Sequence, residues 1–376
     1  MKLTRIKGDT IKHITLVSFI LLSVFSIAVI SSCEKTDIFP NEEEEVIEVD
    51  DDKKIFEIHT DRQRAFFNDK VDNVNEYAEG LKEYSRPVQH LYKWVGGKSP
   101  YTIYLSENSN YSNPLIFNTN EKQLVLTNLK LNTNYYLKIT SSNDFVKEDS
   151  FVTENTIIRN MYVSGVTNVR DLGGYVVGDK ISKQGLIYRT GRLNENGTDT
   201  VTDKITEKGK NTMLNEMKVK TEIDLRLVSN NEVGCLVEGT GVLGNTVSYY
   251  QCPMDYNISM DAEINVKAVG KVFEILGNSS NYPAFFHCSI GTDRTGYIAW
   301  LINACLGVEE EYLYRDYLFS NFGDIGGKRT KDNIKSGYVK TIKNTAGASL
   351  KEKAINYLLN KGVKQNQIDT IHSMMF

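Results

Sequence analysis

Short apolar and alternating runs, separated by turns rich in Asn and Ser, recur between residues 55 and 155. Runs of this kind predict β-strands, because every second side chain then faces a common core. The strand-like runs are residues 88–92, 101–105, 123–126, 135–139 and 150–153. Together they predict a small all-β sandwich over residues 55–155, with Trp94 in its core.

Beyond residue 156 the pattern changes to short apolar runs that alternate with longer helical stretches. The helical stretches are residues 266–276, 297–306, 351–360 and 368–375. Gly307 follows the second stretch and is expected to end that helix. The alternation predicts an α/β domain over residues 156–376, in which a mostly parallel central sheet is flanked by helices.

The N-terminus combines a basic start with an apolar stretch over residues 14–30. Two serines and Cys33 end this stretch, and small residues at that point suit a signal peptidase. The pattern resembles a bacterial lipobox, which implies removal of residues 1–32 and lipidation of Cys33. The alternative is an uncleaved transmembrane anchor. In both cases the remainder is exported, and we expect it in the cell envelope, anchored to a membrane at the periplasmic face or the cell surface.

Acidic residues dominate the segment that follows Cys33. Residues 33–54 carry a dense acidic run with few apolar side chains, which predicts a disordered tether. The chain has a net charge of −4, and loss of residues 1–32, with four basic residues and one acidic one, makes it more negative. This charge argues against nucleic acid as a partner.

Ten residues between the strand-like run 283–286 and the helical stretch 297–306 carry the candidate chemistry. They are His287, Cys288, Ser289, Ile290, Gly291, Thr292, Asp293, Arg294, Thr295 and Gly296. Backbone N–H groups in a loop that opens a helix form a concave site for a tetrahedral oxyanion. The residues expected to bind this phosphate are Ser289, Ile290, Gly291, Thr292, Thr295 and Gly296.

Cys288 is the candidate nucleophile at the mouth of this loop. Arg294 is expected to grip two phosphate oxygens, and the same positive field should lower the pKa of the Cys288 thiol. A thiolate beneath a phosphate is placed for in-line attack on phosphorus. Thr295 is expected to donate a hydrogen bond to the sulphur, and His287 to fix the loop through backbone contacts. The alternative, a buried core cysteine, leaves Arg294 and Thr295 unexplained.

The pattern Cys-x5-Arg, within His-Cys-x-x-Gly-x-Asp-Arg-Thr-Gly, resembles the signature loop of the protein tyrosine phosphatase superfamily. Further blocks in the same order are similar to those of atypical bacterial tyrosine phosphatases: residues 168–175, 185–191, 223–226 and 316–321. Members of that branch act on phosphotyrosine proteins and sometimes on phosphoinositides. Many have a lysine where this chain has Thr292, which argues against highly phosphorylated lipid substrates.

Two carboxylates compete as the general acid that protonates the leaving group. Asp293 lies in the loop itself, and the resemblance favours it as a catalytic group. Asp255 follows a strand-like run at residues 247–250 and would enter the site from a mobile loop. Structural alternatives are a solvated loop carboxylate for Asp255 and a partner of Arg294 for Asp293. The sequence leaves the choice open.

Four further charged residues lie in the blocks that carry the resemblance. Arg170 is expected to anchor a turn through Asp171, and Asp224 and Arg226 follow a strand end, where they either shape the pocket or pair with each other. For all four, structural pairing is the favoured interpretation. Arg189 and Arg192 face either substrate or solvent.

The remaining cysteines and the sandwich add smaller predictions. Cys305 is expected in the core, whereas Cys235 and Cys252 either pair or stay reduced. No histidine or cysteine cluster has metal-ligand spacing, so neither a metal nor another cofactor is expected. Residues 129–135 resemble the turn into the tyrosine corner of fibronectin type III modules, with Tyr135 as the corner residue.

These features favour an exported, lipid-anchored, cysteine-dependent phosphatase. Its substrate is expected to be a phosphotyrosine protein or a small phosphomonoester, and Cys33 is expected to attach it to a membrane. Within enzymes, the alternative is a phosphatase of inositol phosphates or phosphoinositides. Outside enzymes, it is a surface binding lipoprotein with a vestigial active site.

Overall fold

The computed structural model describes residues 46–49, 55–195, 204–227 and 241–376. The predicted signal peptide at 1–32, the lipidation site Cys33 and the cysteine Cys235 lie outside these residues. Within the described ranges, no helix combines the length and the apolar character needed to cross a bilayer.

Two sheets form the N-terminal part of the described chain. Their strands are β1 (Val46–Glu48), β2 (Ile55–Phe56), β3 (Gln89–Lys93), β4 (Tyr101–Ser106), β5 (Leu115–Thr119), β6 (Gln123–Leu126), β7 (Asn134–Ser141) and β8 (Val146–Thr153). One sheet has the order β1-β3-β6 and the other β2-β8-β7-β4-β5. Buried side chains of both sheets share one apolar cluster, in which the Trp94 and Tyr101 rings lie edge to face at 5.2 Å.

The predicted corner residue makes a backbone contact of the kind that its position suggests. The backbone N–H of Lys130 donates to the Tyr135 hydroxyl at 2.9 Å, so the ring is tied to the turn five residues upstream. Every strand-like run of the sequence between residues 88 and 153 coincides with an observed strand. The resemblance to a fibronectin type III module stays a prediction.

The acidic segment contains a short strand, which corrects one expectation. β1 pairs in parallel with β3, and Glu48 forms an ion pair with Lys93 at 2.8 Å. In residues 47–49 the acidic Glu48 stands between the apolar Ile47 and Val49, an alternation that suits a strand at the edge of a sheet. The prediction of a disordered tether over residues 33–54 is therefore wrong for residues 46–48.

A helical segment interrupts the range assigned to the sandwich. Helix α1 (Asp61–Asn68) begins with a capping box between Thr60 and Gln63, and a 3₁₀ segment follows at Val71–Glu76. Phe66 packs with the apolar cluster of the C-terminal part rather than with the sandwich. The all-β composition predicted for residues 55–155 is wrong here, because an eight-residue helix offers too few turns for a clear period.

A five-stranded sheet forms the centre of the C-terminal part. The strands of this part are β9 (Arg170–Asp171), β10 (Val176–Val177), β11 (Lys180–Ile181), β12 (Ile187–Thr190), β13 (Thr221–Asp224), β14 (Ser248–Gln251) and β15 (Ala284–His287). The central sheet has the order β14-β13-β15-β12-β9, in which only β9 is antiparallel to its neighbour. The other two strands form a separate hairpin. The predicted α/β domain with a mostly parallel sheet is confirmed.

Helices and apolar side chains cover both faces of this sheet. The remaining helices are α2 (Glu207–Asn211), α3 (Glu263–Leu276), α4 (Asp293–Leu306), α5 (Glu310–Phe319), α6 (Lys340–Asn344), α7 (Leu350–Asn360) and α8 (Gln365–Met375). Consecutive strand residues point to opposite faces, so Phe286 packs into the cluster that contains α3 and α4. Phe285 packs into the opposite cluster, below the segment around Met213 and Met217.

The strand register brings four carboxyl ends to one edge of the sheet. Thr190 of β12 and Asp224 of β13 both pair with His287 of β15, and Gln251 of β14 pairs with Asp224. In sheets of parallel strands, binding sites form at this edge, where the strand–helix loops gather.

Candidate active site

The loop between β15 and α4 has the geometry of an anion site. Three consecutive carbonyls of this loop bond to groups outside it: Ser289 accepts from the Arg192 N–H at 3.2 Å, and Ile290 and Gly291 accept from the Asn168 side chain at 3.1 and 3.0 Å. Because C=O and N–H point opposite ways across a trans peptide, the N–H groups of the next residues point to the concave side. The loop therefore presents a curved row of donors above Cys288.

Gly291 allows the loop to make this bend. Its φ is +70°, and an added Cβ would lie 2.5 Å from the carbonyl oxygen of Thr190. Gly296, one turn into α4, is needed for a different reason, since a Cβ there would lie 2.7 Å from the Tyr317 ring. The two glycines therefore let the loop contact β12 and let α4 approach α5.

Arg294 is held by the carboxyl ends of β13 and β14. Its Nη1 donates to the carbonyl oxygens of Met254 at 3.1 Å and Leu225 at 3.4 Å. The Tyr256 ring lies over the guanidinium at 5.0 Å. These contacts place Arg294 at the same sheet edge as Cys288, as the sequence predicted.

Cys288 is buried, with 1% of its surface exposed. Burial alone would raise the pKa of its thiol, but Arg294 and hydrogen bonds from Thr295 outweigh burial, so the pKa lies below its ordinary value. The predicted direction of the shift agrees with this environment.

Two arginines and one carboxylate brace the loop from behind. Asp316 of α5 pairs with both Arg170, at 3.1 Å, and Arg189, and all three side chains are buried. Arg189 also donates to the Gly291 carbonyl at 2.7 Å, and Arg170 to the Asn168 side chain at 2.7 Å. Two positive charges share one negative charge, so the group adds positive potential beneath the loop.

These contacts correct two expectations from the sequence. Arg170 does not anchor the turn through Asp171. Instead, Asp171 pairs with Arg159 at 2.8 Å and accepts from the Gly173 N–H at 2.8 Å. Arg189 faces neither substrate nor solvent, because it is fully buried behind the loop. Arg192 is partly exposed and pairs with Glu195 at 3.0 Å.

A second buried network surrounds His287. Its Nε2 lies 3.0 Å from Glu222, and its Nδ1 lies 3.2 Å from the Cys288 carbonyl oxygen. Burial alone would lower the pKa of His287, but the carboxylates of Asp224 and Glu222 outweigh this and raise it. His287 therefore contacts the backbone of the nucleophile Cys288, the kind of contact expected from the sequence, although Glu222 was not foreseen.

Asp224 and Arg226 pair with each other. Arg226 Nη2 lies 2.7 Å from the Asp224 carboxylate, which also accepts from the Tyr249 hydroxyl at 2.8 Å. Burial would raise the pKa of Asp224, yet His287 and Arg226 lower it to about 2. Asp224 thus links the carboxyl end of β13 to Tyr249 of β14.

We predict an acid-labile contribution to stability from Asp224. Its pKa lies below that of an unfolded aspartate, so the contribution is present above about pH 4 and is lost as the pH falls toward 2, about 2 kcal/mol in all. Urea unfolding at a series of pH values should show this loss in the wild type and a smaller one in Asp224→Asn. The exposed Asp179→Asn serves as control, and an equal pH dependence in all three proteins would contradict the prediction.

The two candidate acids lie in different surroundings. Asp293 begins α4, and its carboxylate binds Arg329 and Tyr317 rather than Arg294. Asp255 lies between Met254 and Tyr256, which both contact Arg294, and its Oδ1 accepts from the Asn257 N–H at 2.9 Å. Asp255 thus lies on the loop that contacts the Arg294 guanidinium, whereas Asp293 directly precedes Arg294 in α4.

Thr292 turns away from the concave side of the loop. Its side chain is buried, and its Oγ1 accepts from the Asn168 amide at 3.3 Å. Asn168 and Asp316 belong to the motif blocks of the sequence, but their partners are distant in the chain. Glu222 and Arg329 carried no recognisable sequence signal. No group of three or more His, Cys, Asp or Glu side chains in the described ranges is arranged to hold a metal ion.

Comparisons with known proteins agree with this geometry. The model of the tyrosine phosphatase family matches residues 161–373, more than half of the chain. No protein with curated annotation is significantly similar. The core catalytic domain of the PP-IP phosphatase SIW14 from S. cerevisiae, in complex with citrate, is 17% identical and aligns over 45% of this chain and 92% of its own, with a TM-score of 0.28. TpbA from P. aeruginosa is 18% identical over 47% of this chain and 88% of its own, with a TM-score of 0.30. Scores this low carry no information on activity.

Proposed function

The chain belongs to the tyrosine phosphatase family, and from that premise we propose that it hydrolyses phosphotyrosine through a phosphocysteine intermediate. It is a phosphatase; the substrate and the covalent step are the proposal. One observation carries it: the Ile290 and Gly291 carbonyls bond to Asn168 outside the loop, which leaves the loop N–H groups for a phosphate between Cys288 and a fixed Arg294.

The proposed reaction consists of two successive displacements at phosphorus. In the first, the Cys288 thiolate attacks phosphorus, the bond from phosphorus to the tyrosine oxygen breaks, and a carboxylic acid protonates the departing phenoxide. In the second, water attacks phosphorus while the same carboxylate takes its proton, which releases inorganic phosphate and restores the thiolate. Arg294 and the loop N–H groups bind the phosphoryl oxygens throughout.

Thr292 supports a substrate with a single phosphate. The side chain at this position is buried against Asn168, so it brings no cation to the rim for a second phosphate group. A phosphotyrosine side chain is long enough to carry its phosphate to a buried cysteine, whereas phosphoserine is shorter. We further propose that Cys33 carries lipid and holds the enzyme at a membrane of the cell envelope.

Phosphate release from a panel of substrates tests this function. The purified protein is assayed with a phosphotyrosine peptide, the same peptide with phosphoserine, a phosphoinositide in vesicles and inositol hexakisphosphate. We expect kcat/KM to be highest for phosphotyrosine, by about 100-fold or more over phosphoserine. A preference for an inositol compound would replace the proposed substrate class, and the absence of turnover of any substrate would point to a binding protein.

A further inference from the structure

Arg329 binds both carboxylate oxygens of Asp293. Its Nε donates to Oδ1 at 3.2 Å and its Nη2 to Oδ2 at 3.1 Å, while the Tyr317 hydroxyl donates to Oδ1 at 2.9 Å. An ionised carboxylate only accepts hydrogen bonds, and here each oxygen meets at least one donor. Both carboxylate oxygens of Asp293 are therefore held by donors, and one of these donors is a cation.

Arg329 is itself fixed from two sides. The Asn321 side chain accepts from the Arg329 N–H at 2.6 Å and donates to its carbonyl at 3.0 Å, and Arg329 Nη1 donates to the Gly327 carbonyl at 3.1 Å. Asn321 is completely buried at the end of α5. The guanidinium is thus held by backbone contacts that do not depend on Asp293.

A segment from the N-terminal part supports the same loop. The Gly80 N–H donates to the Asn321 carbonyl at 2.7 Å, and the Gly80 carbonyl accepts from the N–H groups of Ile325 at 3.1 Å and Gly327 at 2.9 Å. Gly327, which donates to Gly80, also accepts from Arg329 Nη1. The position of the guanidinium therefore rests on two distant parts of the chain.

The charge of Asp293 acts on the nucleophile. Asp293 raises the pKa of Cys288, against the lowering by Arg294. The other groups that face Asp293 are Tyr317 from α5, Tyr338 from the segment Asn333–Tyr338, and Arg329. All three groups lie outside the signature loop, and Arg329 is the one among them that carries a positive charge.

We propose that Arg329 is a positioning residue that neutralises Asp293 beside the nucleophile and keeps it from donating a proton to the leaving group. The proposal rests on the phosphatase function, and it leaves that proton to Asp255, on the loop that contacts Arg294. Arg329 contacts Asp293 and acts on the nucleophile through that carboxylate.

Alkylation of Cys288 tests the charge effect without turnover. Full-length protein is treated with iodoacetamide across a pH series, and modification of the Cys288 peptide is followed by mass spectrometry. In Arg329→Ala the midpoint should rise by about one pH unit, since the negative charge of Asp293 is no longer balanced. Arg329→Lys should restore most of the shift, and adding Asp293→Asn to Arg329→Ala should remove it.

The exposed neighbour Lys328→Ala is the matched control and should leave the midpoint unchanged. The acid limb of kcat/KM, measured beside alkylation, should move in the same direction. An unchanged midpoint in Arg329→Ala, or a shift that persists after Asp293→Asn is added, would overturn the proposal.

A pair of leaving groups tests the proton assignment. Asp293→Asn should slow phenyl phosphate and p-nitrophenyl phosphate by the same factor, whereas Asp255→Asn should slow phenyl phosphate far more, because phenoxide is the poorer leaving group. A selective effect of Asp293→Asn on phenyl phosphate would refute the assignment. If the wild type hydrolyses neither ester, the phosphatase function is wrong. The alkylation series still tests whether Arg329 balances the charge of Asp293 beside Cys288.

Discussion

Replacing Cys288 with serine is expected to lower kcat by at least about 10⁴-fold, the scale seen when a nucleophile is removed. A serine hydroxyl is far less ionised than this thiol, whose pKa lies below its ordinary value. The donors of the loop and Arg294 stay in place, so Cys288→Ser should still bind a phosphate analogue. Initial rates with phosphotyrosine and calorimetry with vanadate measure the two properties.

Cys305 offers a matched control for this variant. It lies at the C-terminal end of α4, whereas the loop lies at the N-terminal end of that helix. Burial strongly raises the pKa of its thiol. Cys305→Ala should therefore keep its activity and lose only a little stability, on the order of 1 kcal/mol. More than a hundredth of the wild-type rate in Cys288→Ser would mean that another group attacks phosphorus.

Asp316→Asn is expected to cause the largest loss of stability. The change leaves Arg170 and Arg189 buried without their shared carboxylate, and breaking a buried ion pair on one side costs about 3–5 kcal/mol. Activity should fall as well, because Arg189 also holds the Gly291 carbonyl. The free energy of unfolding in urea and kcat/KM are the two measurements.

The exposed Asp324→Asn, eight residues along the chain, is the control for this substitution. It removes the same charge without uncovering a buried arginine, so its effect on unfolding should stay within about 0.5 kcal/mol. Equal stability of Asp316→Asn and Asp324→Asn would show that Asp316 does not carry the two guanidinium groups.

The fold was predictable where its signals are local. The central sheet and the helices α3, α4, α7 and α8 follow from apolar runs and their period. Helix α1 was not predicted because its eight residues give only a weak helical repeat of apolar positions. Its apolar side chains also pack into a core formed mostly by residues more than 90 positions further along the chain. Strand β1 was not predicted because it lies in an acidic stretch, and its partner strand β3 is more than 40 residues away in the sequence.

The site was predictable to the same extent. Cys288 and Arg294 are joined by a short loop, so their proximity follows from the sequence. Arg170 and Asp171 show the limit: they are consecutive on β9, and consecutive strand side chains point to opposite faces, so pairing them was wrong. Their true partners, Asp316 and Arg159, are set by packing between distant elements.

The bonds from Gly80 to the loop before Arg329 bear on how this chain can be divided. The family match begins at residue 161, and everything in the signature loop lies beyond that point. A chain begun at residue 156 would keep the whole loop and lose Gly80, along with Phe66 and its packing in the catalytic core. The upstream segment is thus a structural part of the catalytic domain, and a version of the chain that lacks it would lose support for Arg329 at the active site.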